Sequence, residues 1–259
     1  MKILAIGNSF SDDTFEYLRR VLSALGEKDA FLGNLYIGGC SLERHAENAR
    51  SGAPAYEFRT NAAGVWRTVY GFSLGDALRF QPWDVVTMQQ AGALSGIAGS
   101  YSPYLCELIS YVRRLAPAAK LVWNATWAYQ KDSDHPDFVN YGKNQARMYE
   151  SIADCVRGCV LPTGAFAAVA PCGTAIQNAR TSFLGDTLTR DGFHLSLGVG
   201  RYIAALTMAE TLTGKIAKNL SFVPACVSAA EKRVAEESAE NAVKTPFSVT
   251  RSRFSEVCL

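Results

Sequence analysis

Lys2-Ile3-Leu4-Ala5-Ile6-Gly7-Asn8-Ser9-Phe10-Ser11 opens the chain with a short, almost wholly apolar run that ends at a glycine and passes straight into small polar residues. A run of this length without polar alternation reads as a strand covered on both faces, the pattern of a parallel sheet. Gly7-Asn8-Ser9 is then the turn at its carboxyl end. Asp13, with Glu16 three residues on, reads as a helix start, and Phe15, Leu18, Leu22 and Leu25 recur at helical spacing up to Gly26. Strand, tight turn and helix make the first half of a βαβ unit.

The alternation continues outward from this unit. Residues 30–37 read as a second strand ending at Gly38-Gly39, residues 84–88 and 121–125 as buried strands, and residues 159–161 as a last short one. Leu105, Leu108, Ile109, Val112 and Leu115 form one helix face, stopped by Pro117; Met148, Ile152 and Val156 mark a second helix, and Val199, Ile203, Leu206 and Ala209 a long third. Residues 65–72 read as a strand or hairpin arm inside an insertion over 41–80, while 91–102 and 131–142 read as loops. Ser228 and Glu231 form a capping box for a final helix with a weak apolar face. The expected class is α/β: a single-domain three-layer sandwich over residues 1–259 with a central parallel sheet, and a C-terminal helical extension over 216–259 packed on it. In such folds ligands bind outside the carboxyl ends of the strands, so chemistry belongs just after each strand.

Composition narrows the functional classes. The 259 residues are 48% hydrophobic with a net charge of +2, which suits a folded domain and excludes a disordered chain. No dense Lys/Arg stripe calls for nucleic acid or an anionic membrane surface, and no apolar run is long enough to span a bilayer. Met1 leads directly into a strand without the pattern of a secretory leader, and the seven cysteines lack zinc-ligand spacing. The expectation is a cytoplasmic protein with reduced thiols, no metal, no cofactor and a small-molecule partner; no oligomeric state follows from the sequence.

There are three histidines, His45, His135 and His194. His194 lies in Thr189-Arg190-Asp191-Gly192-Phe193-His194-Leu195-Ser196, where an acid three residues earlier can fold back in one turn and receive the Nδ1 proton. Gly192 permits the tight turn. Ser9, at the carboxyl edge of the first strand, is a candidate nucleophile; the alternative is an ordinary βα turn in which Ser9 or Ser11 caps the helix. Trp127 and Tyr129 follow a strand directly and, with Trp66 and His135, are candidates for a substrate rim, plain core packing being the alternative for the aromatics.

A Gly-x-Ser turn after strand one, a Gly pair after strand two, an amide residue after a central strand and Asp-x-x-His near the C-terminus resemble the SGNH (GDSL-like) hydrolases, with a flavodoxin-like architecture. The resemblance spans roughly residues 1–215 in motif order. It implies Ser9 as nucleophile, Asp191 and His194 as acid and base of a catalytic triad, and an oxyanion N–H at Ser9 and at Gly38 or Gly39. Asn8 stands where the family usually has Asp, and the family's Gly-x-Asn-Asp block is replaced by Gln89-Gln90. The strand's last residue has most freedom to turn, so Gln90 is expected to donate to the oxyanion, with Gln89 the alternative. The resemblance implies an esterase, and polar loops with rim aromatics suggest short-acyl (acetyl) esters of a carbohydrate.

Two rival readings stand beside it. Gly71-Phe72-Ser73-Leu74-Gly75 matches the nucleophile elbow of α/β-hydrolases, with Ser73 as nucleophile, but too few strands precede it. A non-catalytic flavodoxin-like binding module would use residues 8–14 to cradle a phosphate, which Asp12 and Asp13 would repel. Asp132, Asp134, His135 and Asp137 read as a solvated loop at the site rather than a metal centre.

Overall fold

The computed structural model describes residues 1–256; Cys258 and the last residues of the expected extension lie outside the described residues. β1 (Lys2–Gly7) sends Ile3 and Ala5 into one core and Leu4 and Ile6 into the other, so both faces of the strand are dry. β2 (Phe31–Tyr36) pairs parallel on one side of β1, and β5 (Val85–Met88) pairs parallel on the other. Between them in sequence lie β3 (Tyr56–Asn61) and β4 (Trp66–Phe72). β6 (Lys120–Asn124) and β7 (Phe166–Ala170) complete seven strands in the order β4-β3-β2-β1-β5-β6-β7.

The central sheet is mostly parallel, as expected, with a hairpin at one edge. β3 and β4 form an antiparallel hairpin that extends the sheet from β2. A hairpin connection allows this pairing, whereas a parallel pair needs a long crossover. The expected strand at 159–161 is corrected. Those residues continue α6 (Gln145–Cys155) as further helical turns, because Val156 and Val160, four apart, drop into the same core. β7 is the true last strand.

On the face that receives Leu4 and Ile6 pack α3 (Leu42–Ser51), α4 (Leu74–Arg79) and α5 (Tyr104–Leu115). The opposite face is covered by α1 (Ser9–Phe15), α2 (Leu18–Ala24), α7 (Cys172–Arg180) and α8 (Val199–Thr213), with α9 (Ala229–Lys244) lying over α7 and α8. The Ser228–Glu231 capping box starts α9, whose small buried residues Ala235, Ala239 and Ala242 allow close approach. No described helix is long and apolar enough to cross a membrane.

The chain winds outward from β1 to β4, then returns to the far side of β1 as β5. Strand order therefore reverses beside β1, and the loops after β1, β2 and β5 open a crevice at their carboxyl ends.

Candidate active site

Ser9 is the first residue of α1, and Asn8, not Asp13, is the cap. The Asn8 side chain accepts from the Phe10 amide at 3.0 Å, and Ser11 Oγ accepts from the Asn8 amide at 2.9 Å. This reciprocal pair fixes the backbone around Ser9. Asp13 and Glu16 fall too late in the helix to cap it.

His194 stands on a closed turn. Arg190 donates its amide to the His194 carbonyl at 2.9 Å, and Ser196 donates to the Leu188 carbonyl at 2.8 Å. Gly192 sits at φ +87, where a Cβ would meet Ser133 Oγ at 2.9 Å, so the turn requires glycine. Asp191 Oδ1 accepts from the amides of His194 (2.8 Å) and Phe193 (3.3 Å), and its Oδ2 lies 2.6 Å from His194 Nδ1. His194 Nε2 lies 2.8 Å from Ser9 Oγ. A proton on Nδ1, shared with Asp191, leaves Nε2 as the lone-pair nitrogen facing the Ser9 hydroxyl. Partial burial raises the affinity of Asp191 for a proton, but the bonds from the His194 ring and the His194 and Phe193 amides outweigh it. The carboxyl is held below its ordinary range and is ionised.

Ser9 and His194 open into a cleft of about 290 Å³. Gly38 and Gly39 border it on the β2 side, and Gly92 and Ala93 on the β5 side. Tyr36, Tyr129 and Phe193 give it aromatic walls, with His135 and Asp137 at the loop end; among the described residues no Lys or Arg lines it. Phe193 packs against both His194 and His135, with ring centroids 4.2 and 4.8 Å apart. Among the described residues, no group of three or more His, Cys, Asp or Glu side chains is arranged to hold a metal ion.

Several sequence expectations are corrected here. Gln90 does not turn toward Ser9: its Nε2 donates to Ser100 O (3.0 Å) and Oγ (2.9 Å), and its Oε1 accepts from the amides of Leu42 and Ala91. Gln89 also stays out of the cleft, donating instead to Asn8 Oδ1. Trp127 is fully buried, stacked on Phe10 at 4.4 Å, with Nε1 donating to the Phe193 carbonyl. It supports the site from behind and is not rim. Trp66 begins β4, the edge strand farthest toward the hairpin, and does not border the cleft. Tyr129 and His135 do border it.

Ser73 caps α4, accepting from the Asp76 amide and donating to its carboxylate at 2.6 Å, and makes no hydrogen bond to a His among the described residues. His45 is buried against Tyr56, and burial, with Arg44 nearby, pushes its proton affinity down to about 3, so it stays neutral. Tyr36, Phe193 and the Gly92-Ala93 turn were not singled out from sequence. Their signal was position alone: the end of β2, the residue before His194, and the loop after β5.

The sheet order and the crevice beside β1 place the protein in the class of three-layer α/β folds shared with SGNH-type esterases. A protein described as a GDSL-like lipase from Parabacteroides merdae ATCC 43184 has this fold, with a TM-score of 0.54 at 16% identity over 81% of this chain and 94% of that one. So does a variant of an acetyl-xylooligosaccharide esterase from Geobacillus stearothermophilus, with a TM-score of 0.53 at 14% identity over 82% and 94%. The chain itself belongs to the family described as Domain of unknown function (DUF4886), which matches residues 2–242. A crystal structure of a DUF4886 family protein from Bacteroides uniformis ATCC 8492 is 42% identical, covers 97% of each chain and has a TM-score of 0.93. No curated protein matches the chain.

Proposed function

We propose that this protein is a serine esterase that hydrolyses short-acyl, acetyl-type esters of a neutral carbohydrate. The observation that carries the reading is the continuous hydrogen-bonded line from Ser9 Oγ through His194 to Asp191, ending at an open cleft. Three such groups in line are what an oxygen nucleophile needs at neutral pH: a base within reach and an acid that orients the base.

Ser9 attacks the ester carbonyl as His194 Nε2 takes its proton, and Asp191 stabilises the imidazolium. The tetrahedral oxyanion is met by backbone donors. Those beside Ser9 are its own N–H, one from Gly38 or Gly39, and the Gly92-Ala93 turn, which occupies the β5 side of the cleft where a side-chain amide was expected. His194 then protonates the leaving alcohol. Water, activated by the same His, attacks the acyl-enzyme and releases the acid.

The cleft's size favours a short acyl group. Its lining carries Asp137 and, among the described residues, no Lys or Arg, which disfavours anionic esters such as phosphorylated alcohols. Tyr36, Tyr129 and Phe193 offer faces suited to a sugar ring. The acetyl-xylooligosaccharide esterase among the fold relatives agrees with this choice of substrate.

The test is a panel of acetyl, butyryl and octanoyl esters alongside acetylated oligosaccharides, each with and without a fluorophosphonate. Activity should be greatest on acetyl esters and vanish with the inhibitor. An unreactive protein, or one preferring octanoyl esters, would count against the reading.

A further inference from the structure

Ser9 and His194 are 185 residues apart in sequence and ride on separate elements, so their 2.8 Å contact depends on how α1 and the 188–196 turn are joined. Asp13 is one helical turn after Ser9 on α1, and its side chain is wholly buried. Its Oδ1 accepts from Arg190 Nη1 at 2.9 Å and from Arg201 Nε at 2.8 Å, and its Oδ2 accepts from the Leu195 amide at 2.8 Å. Arg190 and Leu195 are the residues immediately before Asp191 and immediately after His194. Arg201 belongs to α8.

We propose that Asp13 is a positioning residue: it clamps the turn bearing Asp191 and His194 to the helix bearing Ser9, and so sets the nucleophile–base distance. The proposal rests on the reading of Ser9 and His194 as nucleophile and base.

Two features support a positioning role over simple packing. A buried carboxylate is costly to desolvate, and an apolar residue could fill the same space. The three bonds, moreover, do not serve α1 itself; they grip both ends of one turn and the helix that follows it. Trp127 and Gln130 hold the same turn from the β6 side, through the carbonyls of Phe193 (2.7 Å) and Gly192 (2.8 Å). Trp127 also stacks on Phe10 of α1 at 4.4 Å, so packing reaches α1 through it, while Asp13 supplies the hydrogen bonds from α1 to the two ends of the turn. A misplacement of about 1 Å in such a pair can cost on the order of 100-fold in rate.

The variants are Asp13→Asn, which keeps shape but loses the charge that holds both guanidinium groups, and Arg190→Gln, which removes one tie from a partly exposed residue and serves if the first does not fold. Steady-state kinetics on an acetyl ester and a crystal structure of the same variant are read together. The expected result is kcat lowered by roughly 30- to 100-fold, with KM within about twofold of wild type. Ser9 Oγ and His194 Nε2 should be separated beyond hydrogen-bond reach. A kcat within about twofold of wild type, or a large loss of kcat with the Ser9–His194 contact intact, overturns the proposal. Absence of any fluorophosphonate adduct on Ser9 in the wild-type protein would sink the esterase reading instead; the crystallographic distance would still decide whether Asp13 sets the contact.

Discussion

Gln89 Nε2 donates to Asn8 Oδ1 over 2.8 Å, joining the end of β5 to the cap of the helix that begins with Ser9. The chain of bonds is longer than this pair. Asn124, at the end of β6, donates to Gln89 Oε1 at 2.9 Å, and Asn8 Nδ2 donates to the Cys40 carbonyl at 3.1 Å, at the end of the Gly38-Gly39 loop. The carboxyl ends of three strands and the loop after a fourth are thereby tied together at the floor of the site.

The two adjacent glutamines should therefore behave differently when truncated. Gln89→Leu removes one of the two bonds that Asn8 Oδ1 accepts and one of the two that Asn124 Nδ2 donates, the Phe10 amide and Thr14 Oγ1 remaining, at a cost of about 0.5–1.5 kcal/mol for each bond lost. It also loosens the turn around Ser9, so both unfolding free energy and kcat should fall. Gln90→Ala breaks bonds to Ser100, Leu42 and Ala91 but touches nothing that holds Ser9. It should lose stability of the same order while kcat stays within a few-fold. Urea unfolding and steady-state kinetics on both variants check this, and a larger kcat loss in Gln90→Ala would restore the side-chain oxyanion donor to that residue.

Ser9→Ala should abolish turnover with the fold intact, and intact-protein mass spectrometry should find the fluorophosphonate on Ser9 of the wild type. His194→Ala should lose as much, and the double variant no more than either single one, because the residues act as one unit. Losses that add would mean the two side chains work in separate steps.

Much of this was readable in the chain. The unbroken apolar run in β1 announces a strand dry on both faces, and a Gly-x-Ser turn and an Asp-x-x-His need only local geometry to bring their side chains to a sheet edge. What could not be read depended on partners far away in sequence. Neighbouring strand residues face opposite ways, so Gln89-Gln90 alone does not say which amide meets what; Asn8 and Asn124 claim one, Ser100 and Leu42 the other. Trp127 looked like rim because it follows a strand, yet Phe10 stacks on it and the Phe193 carbonyl takes its N–H. The β3 half of the hairpin was missed because Glu57 and Arg59 alternate with Tyr56 and Phe58 in a strand with only one dry face, the opposite of β1.

Gly92 supplies a steric prediction. A Cβ there would meet two atoms of the Phe10 ring at 2.8 Å and the Tyr129 ring at 3.3 Å. Phe10 has no room to retreat, being stacked on Trp127. Gly92→Ala should push the turn away from Ser9, costing about 1–3 kcal/mol in overpacking and lowering kcat through the displaced backbone. Ala93→Gly, which adds no bulk, is the control. Wild-type stability and kcat in Gly92→Ala would show that the turn has slack and takes no part in the site.

Glu210 should make the protein's stability depend on pH in an unusual direction. It is buried on α8, accepting from the Ala217 amide at 2.9 Å. Burial raises its pKa from 4.5 to about 7; the Ala217 amide lowers it, Glu240 and Glu236 raise it, and Lys244 lowers it. Between these values the folded protein holds a proton that the unfolded chain has released. The stabilisation is thus fully present below about pH 4.5 and is lost, by up to about 1.4 kcal/mol per pH unit, as pH rises to about 7. Glu240 acts in the opposite sense, since its pairing with Lys244 holds its carboxyl below the usual range. Glu210→Gln keeps an acceptor for Ala217 and removes the titration. Its unfolding free energy, measured in urea from pH 5 to 8, should fall less steeply with pH than that of the wild type. At pH 8 the variant should be the more stable protein by on the order of 1–3 kcal/mol, and near pH 5 the two should converge. Parallel curves across that range would mean that Glu210 is already ionised in the folded state.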